Sequence, residues 1–374
     1  MFNGNRLLLA LESQGFTNVA FANLMDVNRS TVTRWINDTG FTPKPDVLLK
    51  MSEALKVNIE WFYREPKASL QTVEFYRSNA STTKLARNIA KSKLLFSAEI
   101  YQIFSEWIGF PELKLPKSLT MNEWYRLDDK KIDELAKECR TLWGLGNEPI
   151  DNLISVAESN GIVVIKDELG TDASEHMDGV SAWYNDVPFV FIIKDTPAVR
   201  SRFDLAHEIG HLIMHKAIPI EDYNKKDIYK KIENQAHRFA NELLYPSEVA
   251  IDELFYPSLE RFIQLKMKWL VSIQAILRKT RDLELITEDE YIKFYKTISY
   301  KKWRKNEPLD DELVGEQPTL FKKVFEMLLE NGGFSKKTII DKIALPPKRI
   351  EHLLSLPVGF LSDNTQAKIQ LRIL

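Results

Sequence analysis

His207, Glu208 and His211 stand in the order His-Glu-x-x-His inside FDLAHEIGHLIMH, residues 203–215, a stretch compatible with a helix. Residues four apart share one helical face with a rise of about 6 Å, so two imidazole nitrogens can converge on one ion. Glu208 lies about 100° round the helix, aimed at water on the metal rather than at the metal itself. Zinc lowers the pKa of such water to about 7, and a neighbouring glutamate accepts its proton as the oxygen attacks a carbonyl. Together these residue types specify metal-assisted hydrolysis. The pattern alone arises by chance in about one chain in a hundred of this length, its histidines then merely packing, so a further ligand has to decide.

A catalytic zinc needs a third protein ligand and an open position. In IENQAHRFANELLYP, residues 232–246, the apolar Ile232, Ala236, Phe239, Ala240 and Leu243 form a stripe at helical spacing with Glu233 at its edge. Buried there, a carboxylate needs a partner, which zinc would supply; the alternative is an ordinary exposed acid. His215 lies about 12 Å along the helix axis from His207, too far to share its ion, and is expected to support the ligands or the fold. His237, four residues after Glu233, is expected either to orient a ligand or substrate carbonyl or to pack. Tyr184, Arg200, Arg202, His237 and Tyr245 are the candidate donors to a developing oxyanion, and each has an alternative structural role. His176 and His352 have no local partners and are assigned no chemistry. The apolar run 189–193 is expected to offer a sheet edge to an extended peptide.

These residues belong to a chain of 374 residues, 44% hydrophobic, long enough for two or three domains. Its formal charge of -2 argues for no nucleic-acid partner, so any such case must be local. The single cysteine, Cys139, excludes an internal disulfide and a thiolate cluster and fits a reducing compartment. The apolar Leu7–Leu11 lies between Arg6 and Glu12 with no cleavage signal after it, and no apolar run approaches the roughly 20 residues of a membrane span. A cytoplasmic protein without a membrane partner is expected. Spacing predicts a mainly α chain with a small α+β part. Short helices fill 1–65, a basic linker and helical connector 66–148, a mixed domain with a short β-sheet 149–256, and a helical C-terminal domain of unassigned role 257–374. No internal repeat is evident.

The first 65 residues are similar to Cro/repressor-type (XRE) helix-turn-helix domains. Thr17 is placed to cap a second helix running to Met25, Asp26-Val27-Asn28 forms the turn, and Asn28 caps a third helix, RSTVTRWIN. Val32, Trp35 and Ile36 are expected inside. Asn18, Arg29, Ser30, Thr31, Thr33 and Arg34 are the candidate contacts to phosphates and base edges of a double-stranded DNA operator, with Lys84 to Lys93 adding phosphate contacts. Asn18 stands where such domains usually have Gln. The competing expectation, from the near-zero charge of this block, is a helical interaction domain that binds no DNA.

The stretch from Asn152 to Pro246 resembles the ImmA/IrrE family of metallo-endopeptidases through GVSAWYNDVPFVFII, RSRFDLAHEIGHLIMH and ENQAHRFANELLYP. The resemblance implies a zincin-like fold, Zn2+ held by His207, His211 and Glu233, Glu208 as base, and regulatory proteolysis of repressor-like proteins. His237 departs from it, the family usually having Asn there. Two functions follow as expectations. One is a DNA-binding regulator whose peptidase cuts a helix-turn-helix repressor or its own segment Pro66 to Ser97. The other is an antitoxin or repressor of a toxin-antitoxin or phage-type module, whose peptidase-like domain holds a partner such as a toxin without routine cleavage. A homodimer is compatible with either.

Overall fold

The structure, a computed structural model, describes residues 1–38, 40–68, 70, 72, 74–78, 84–169 and 177–362. Along the chain run α1 (Gly4–Ser13), α2 (Asn18–Met25), α3 (Arg29–Asn37), α4 (Pro45–Leu55), β1 (Phe75–Ser78), α5 (Lys84–Ser105), α6 (Asp129–Leu142), β2 (Val163–Asp167), β3 (Met177–Tyr184), β4 (Val187–Ile193), α7 (Ala198–Met214), α8 (Lys226–Leu244), α9 (Leu320–Glu330), α10 (Lys336–Ile343) and α11 (Pro347–Leu353), with shorter or unlabelled helices between. The fold is mainly α with one small sheet. Among the described residues no helix is long and apolar enough to cross a membrane.

The chain divides into two compact units that cut across the four segments read from the sequence. The first comprises residues 1–67, 99–108 and those from Phe321 onward. Its helix-turn-helix follows from local signals: Thr17 Oγ1 accepts from Ala20 N at 3.1 Å, and Asp26 ends α2 in the left-handed region. Phe21, Val32, Trp35, Met51 and Phe62 close the core, while Ile36 is only half-buried. Asn28 takes the N-cap position of α3 but makes no side-chain cap bond, contrary to expectation. Non-local contacts complete the unit. Buried Arg6 pairs with Glu99 at 2.6 Å, Phe104 meets Phe321 and Phe325 edge-on, and Trp107 stacks on Phe334 at 4.4 Å.

The second unit comprises residues 68–98 and 109–320. Residues 257–320 join it because Phe262, Leu265, Trp269, Ile276 and Ile298 share one core with Leu212 of α7 and Phe239 of α8. The sheet order is β1-β3-β4-β2, with β2 parallel to β4 and the other pairs antiparallel. Asn185 and Asp186, both at positive φ, form the tight turn between β3 and β4. Strand β4 has neighbours on both sides, so the expected edge at 189–193 is not there; its continuous apolar run is that of an interior strand. The edge on that side is β1, from the segment read as a charged linker. Phe75 pairs with Ser181 and Arg77 with Gly179, and the contact continues to a bridge between Leu70 and Tyr184.

Helix α7 lies against this sheet and against α8. The stripe Ile232, Ala236, Phe239, Ala240 and Leu243 is buried as its spacing predicted, and Pro246 follows the helix end. A side chain at Gly210 would meet Phe239 at 3.1 Å, so the glycine inside the motif lets α7 and α8 approach closely.

Candidate metal centre

That close approach brings the N-terminal half of α8 across the motif face of α7. His207 Nε2 and His211 Nε2 lie 3.0 Å apart; Glu233 Oε2 is 3.4 Å from the first and Glu233 Oε1 3.3 Å from the second. One donor atom from each of the three falls within 4.8 Å of the others. A tetrahedral zinc bound at about 2.0–2.1 Å spaces its donors about 3.3 Å apart, so this set fits the ion. Both histidines are fully buried and Glu233 is largely so. Burial opposes ionisation of Glu233; when the His207 and His211 rings are protonated, their hydrogen bonds and charge outweigh it and hold the carboxyl below the usual range.

Glu208 points from the same helix toward the sheet. Ser181 Oγ donates to its Oε2 at 2.6 Å, and a side chain at Gly179 would stand 3.2 Å from its Oε1. Alternate residues of β3 thus supply a donor and a space for this carboxylate. Phe75 of β1 lies stacked on the ring of His211, centroids 5.1 Å apart.

A chain of hydrogen bonds sets the protonation of His211. Gln235 Nε2 donates to Trp124 O at 3.3 Å, which turns Gln235 Oε1 toward His215 Nε2 at 3.0 Å. An amide oxygen only accepts, so His215 carries its proton on Nε2. Burial, with His211 beside it, pushes His215 well below its usual range, and the neutral ring offers Nδ1 as acceptor to His211 Nδ1 at 2.9 Å. His211 then donates from Nδ1 and keeps the Nε2 lone pair facing His207 and Glu233, the state a metal ligand requires. His215 therefore touches His211 but lies outside the His207, His211 and Glu233 cluster. Replacing Gln235 with leucine is expected to weaken zinc affinity about 10–100-fold, measured by chelator competition. Unchanged affinity would show that the relay has no influence.

The other sequence candidates have separate places. His237 stands edge-on to His207 with centroids 4.8 Å apart and packs on Phe203. Tyr184 is buried against Phe189 three residues past Ser181, about 10 Å along the strand, and burial raises its pKa. Buried Arg202 binds Glu316 and the Ile150 carbonyl, and Tyr245 donates to Glu253 Oε2 at 3.0 Å while packing on Trp269. Arg202 and Tyr245 are held in the fold by these polar partners, whereas Tyr184 is held by packing, its hydroxyl buried with no hydrogen-bond partner among the described residues. Arg200 is exposed and paired with Asp178. His176 lies outside the described residues. Gln235, Ser181, Gly179 and Phe75 were not singled out from the sequence. A buried His215 needing a partner was the one signal that pointed toward Gln235.

In the first unit Arg29, Ser30, Thr33 and Arg34 of α3 are exposed, and Asn18 and Thr31 are half-exposed. The Arg34 guanidinium lies over Phe41 and 3.5 Å from Asp38. Lys91 and Lys93, expected to add phosphate contacts, are paired instead with Glu74 and Asp167 inside the second unit. The arrangement can hold a cation beside a general base and present a polar helix face to DNA.

No curated protein matches the chain. Residues 7–62 match the family model of the helix-turn-helix, and residues 157–281 match that of the IrrE N-terminal-like domain, a peptidase family. The chain thus joins an XRE-type helix-turn-helix domain to a metallopeptidase-like domain of the IrrE type.

Proposed function

We propose that this protein is a DNA-binding transcription regulator whose second unit is a zinc-dependent endopeptidase acting on a regulatory protein segment. The observation that carries the reading is the convergence of His207, His211 and Glu233, with Glu208 on the neighbouring helix face. His207 Nε2, His211 Nε2 and a Glu233 oxygen hold the ion. Bound zinc supplies a Lewis acid and acidifies water. Glu208 accepts the proton of the attacking water and passes it to the leaving amine, with Ser181 fixing its carboxylate through Oε2. His237, beside His207, is the candidate donor to the developing oxyanion.

An extended peptide that adds to the sheet next to Glu208 must pair with β3. The chain's own Phe75–Ser78 already take that edge, with Phe75 opposite Ser181, and Leu70 bridges to Tyr184. This supports self-cleavage in the segment 66–97, with the cut near Phe75 to Ser78; residues 69, 71, 73 and 79–83 of that segment lie outside the described ones. Such a cut leaves the N-terminal fragment attached, because Arg6–Glu99 and the contacts of Arg349 with Leu55 and Lys56 hold residues 1–67 within the first unit. Incubating zinc-loaded protein with and without its DNA, then mapping new termini by mass spectrometry, tests this. A Glu208-dependent cut in 66–97, with both fragments eluting together, is expected.

A second reading has one observation in its favour. With β1 on the edge and Phe75 on His211, the cleft is covered against outside peptides, as suits an antitoxin or repressor that holds a partner protein without routine cleavage. Lack of any Glu208-dependent cut, in this chain or in co-encoded regulators, would put that reading ahead.

A further inference from the structure

The end of the first unit repeats its beginning, although the sequence showed no evident repeat. Gly15-Phe16-Thr17 corresponds to Gly333-Phe334-Ser335, and all later pairs keep the same offset. Gly15 and Gly333 have φ of 72° and 69°. Thr17 and Ser335 then cap helices of eight residues each, accepting from Ala20 N at 3.1 Å and from Thr338 N at 3.0 Å. Both helices end on a left-handed residue, Asp26 at φ 55° and Ala344 at φ 59°. Third helices follow from N-cap positions Asn28 and Pro346. The buried pairs agree as well: Phe21 with Ile339, Met25 with Ile343, Val32 with Ile350 and Trp35 with Leu353. A preceding helix, α1 or α9, completes each copy.

The copies differ in charge. Thr17 to Ile36 carries Arg29 and Arg34 against Asp26, whereas Ser335 to Leu354 carries Lys336, Lys337, Lys342, Lys348 and Arg349 against Asp341 and Glu351. Glu351 is moreover turned inward, accepting from Gly359 N at 2.9 Å and Leu361 N at 2.6 Å. On the outer face, Lys348 stands where α3 has Ser30, Lys337 stands where α2 has Val19, and both lysines are exposed. Arg349, by contrast, holds the Leu55 and Lys56 carbonyls at 3.2 Å, tying this copy to the first one within their common unit. Duplex DNA is bound chiefly through lysines and arginines that neutralise phosphates, and the second copy supplies the local positive charge that the first lacks.

We propose that residues 320–354 form a second helix-turn-helix that contacts duplex DNA phosphates through Lys337 and Lys348, alongside the reader at residues 17–37. This rests on the reading that the chain binds DNA. The test uses the full-length chain and a duplex of about 40 base pairs, roughly four helical turns, enriched by that chain from a random pool. Binding is measured across salt concentrations, with a hydroxyl-radical footprint. The double variant Lys337→Gln, Lys348→Gln keeps most of each side-chain stem and removes the charge. It is expected to melt like the wild type, to lower the salt slope by about two, and to lose one protected tract while keeping the other. An unchanged slope and footprint, with Arg29→Ala, Arg34→Ala still abolishing binding, would overturn the second contact and leave this copy a brace. If the wild-type chain enriches no duplex, DNA binding itself is wrong for both copies.

Discussion

Chain with alanine in place of Glu233 is expected to purify without zinc, as is His207→Ala, whereas the wild type and Glu208→Gln each carry about one ion. The donor atoms of His207, His211 and Glu233 lie within 4.8 Å of one another, and removing any one leaves two protein ligands, below the three of a catalytic site. Glu208 bonds to Ser181 on the sheet side, so its amide variant leaves the ligand set intact. Glu208→Gln should therefore separate binding from chemistry, cutting hydrolysis by about 10²–10⁴-fold with the metal retained. Elemental analysis of the purified variants reads this directly. Full occupancy in Glu233→Ala would refute the third-ligand assignment.

The second large effect falls in the first unit. Arg6 and Glu99 are both almost completely buried, and Arg6 Nη1 donates to both carboxylate oxygens at 2.8 and 2.6 Å. Arg6 also donates to the Arg64 and Glu65 carbonyls and stacks over Trp61 at 4.1 Å, so it cannot swing out to water without breaking the start of the unit. Glu99→Ala leaves a buried guanidinium without its counter-charge, and a loss of about 3–5 kcal/mol is expected. Urea unfolding, with hydrogen exchange followed over residues 4–37, measures it. A change below about 1 kcal/mol would show that water or relaxation compensates the charge, and the retention of a cut N-terminal fragment would lose its main support.

What the sequence disclosed was what is local. Two histidines four apart, an apolar stripe with Glu233 on its edge, a capping Thr17 and an Asn-Asp turn each signal within a few residues, and each is found where spacing placed it. What escaped was decided by pairing across the chain. Strand order cannot be read from the run 187–193, which looks the same whether its flank is open or filled. Strand β1 has four residues in a charged stretch and exists because β3 offers it partners. Arg202 and Tyr245 looked available until Glu316 and Glu253 claimed them. The C-terminal copy of the helix-turn-helix went unseen because it preserves caps, left-handed turns and buried positions while changing most residue types.

Whether the second unit cuts protein is read by comparing protein termini in cells expressing the wild type with those in cells expressing Glu208→Gln. A fragment pair present only with the wild type is expected, from this chain near Phe75 to Ser78 or from a helix-turn-helix regulator. Identical sets of termini in the two, with zinc bound in both proteins, would contradict it.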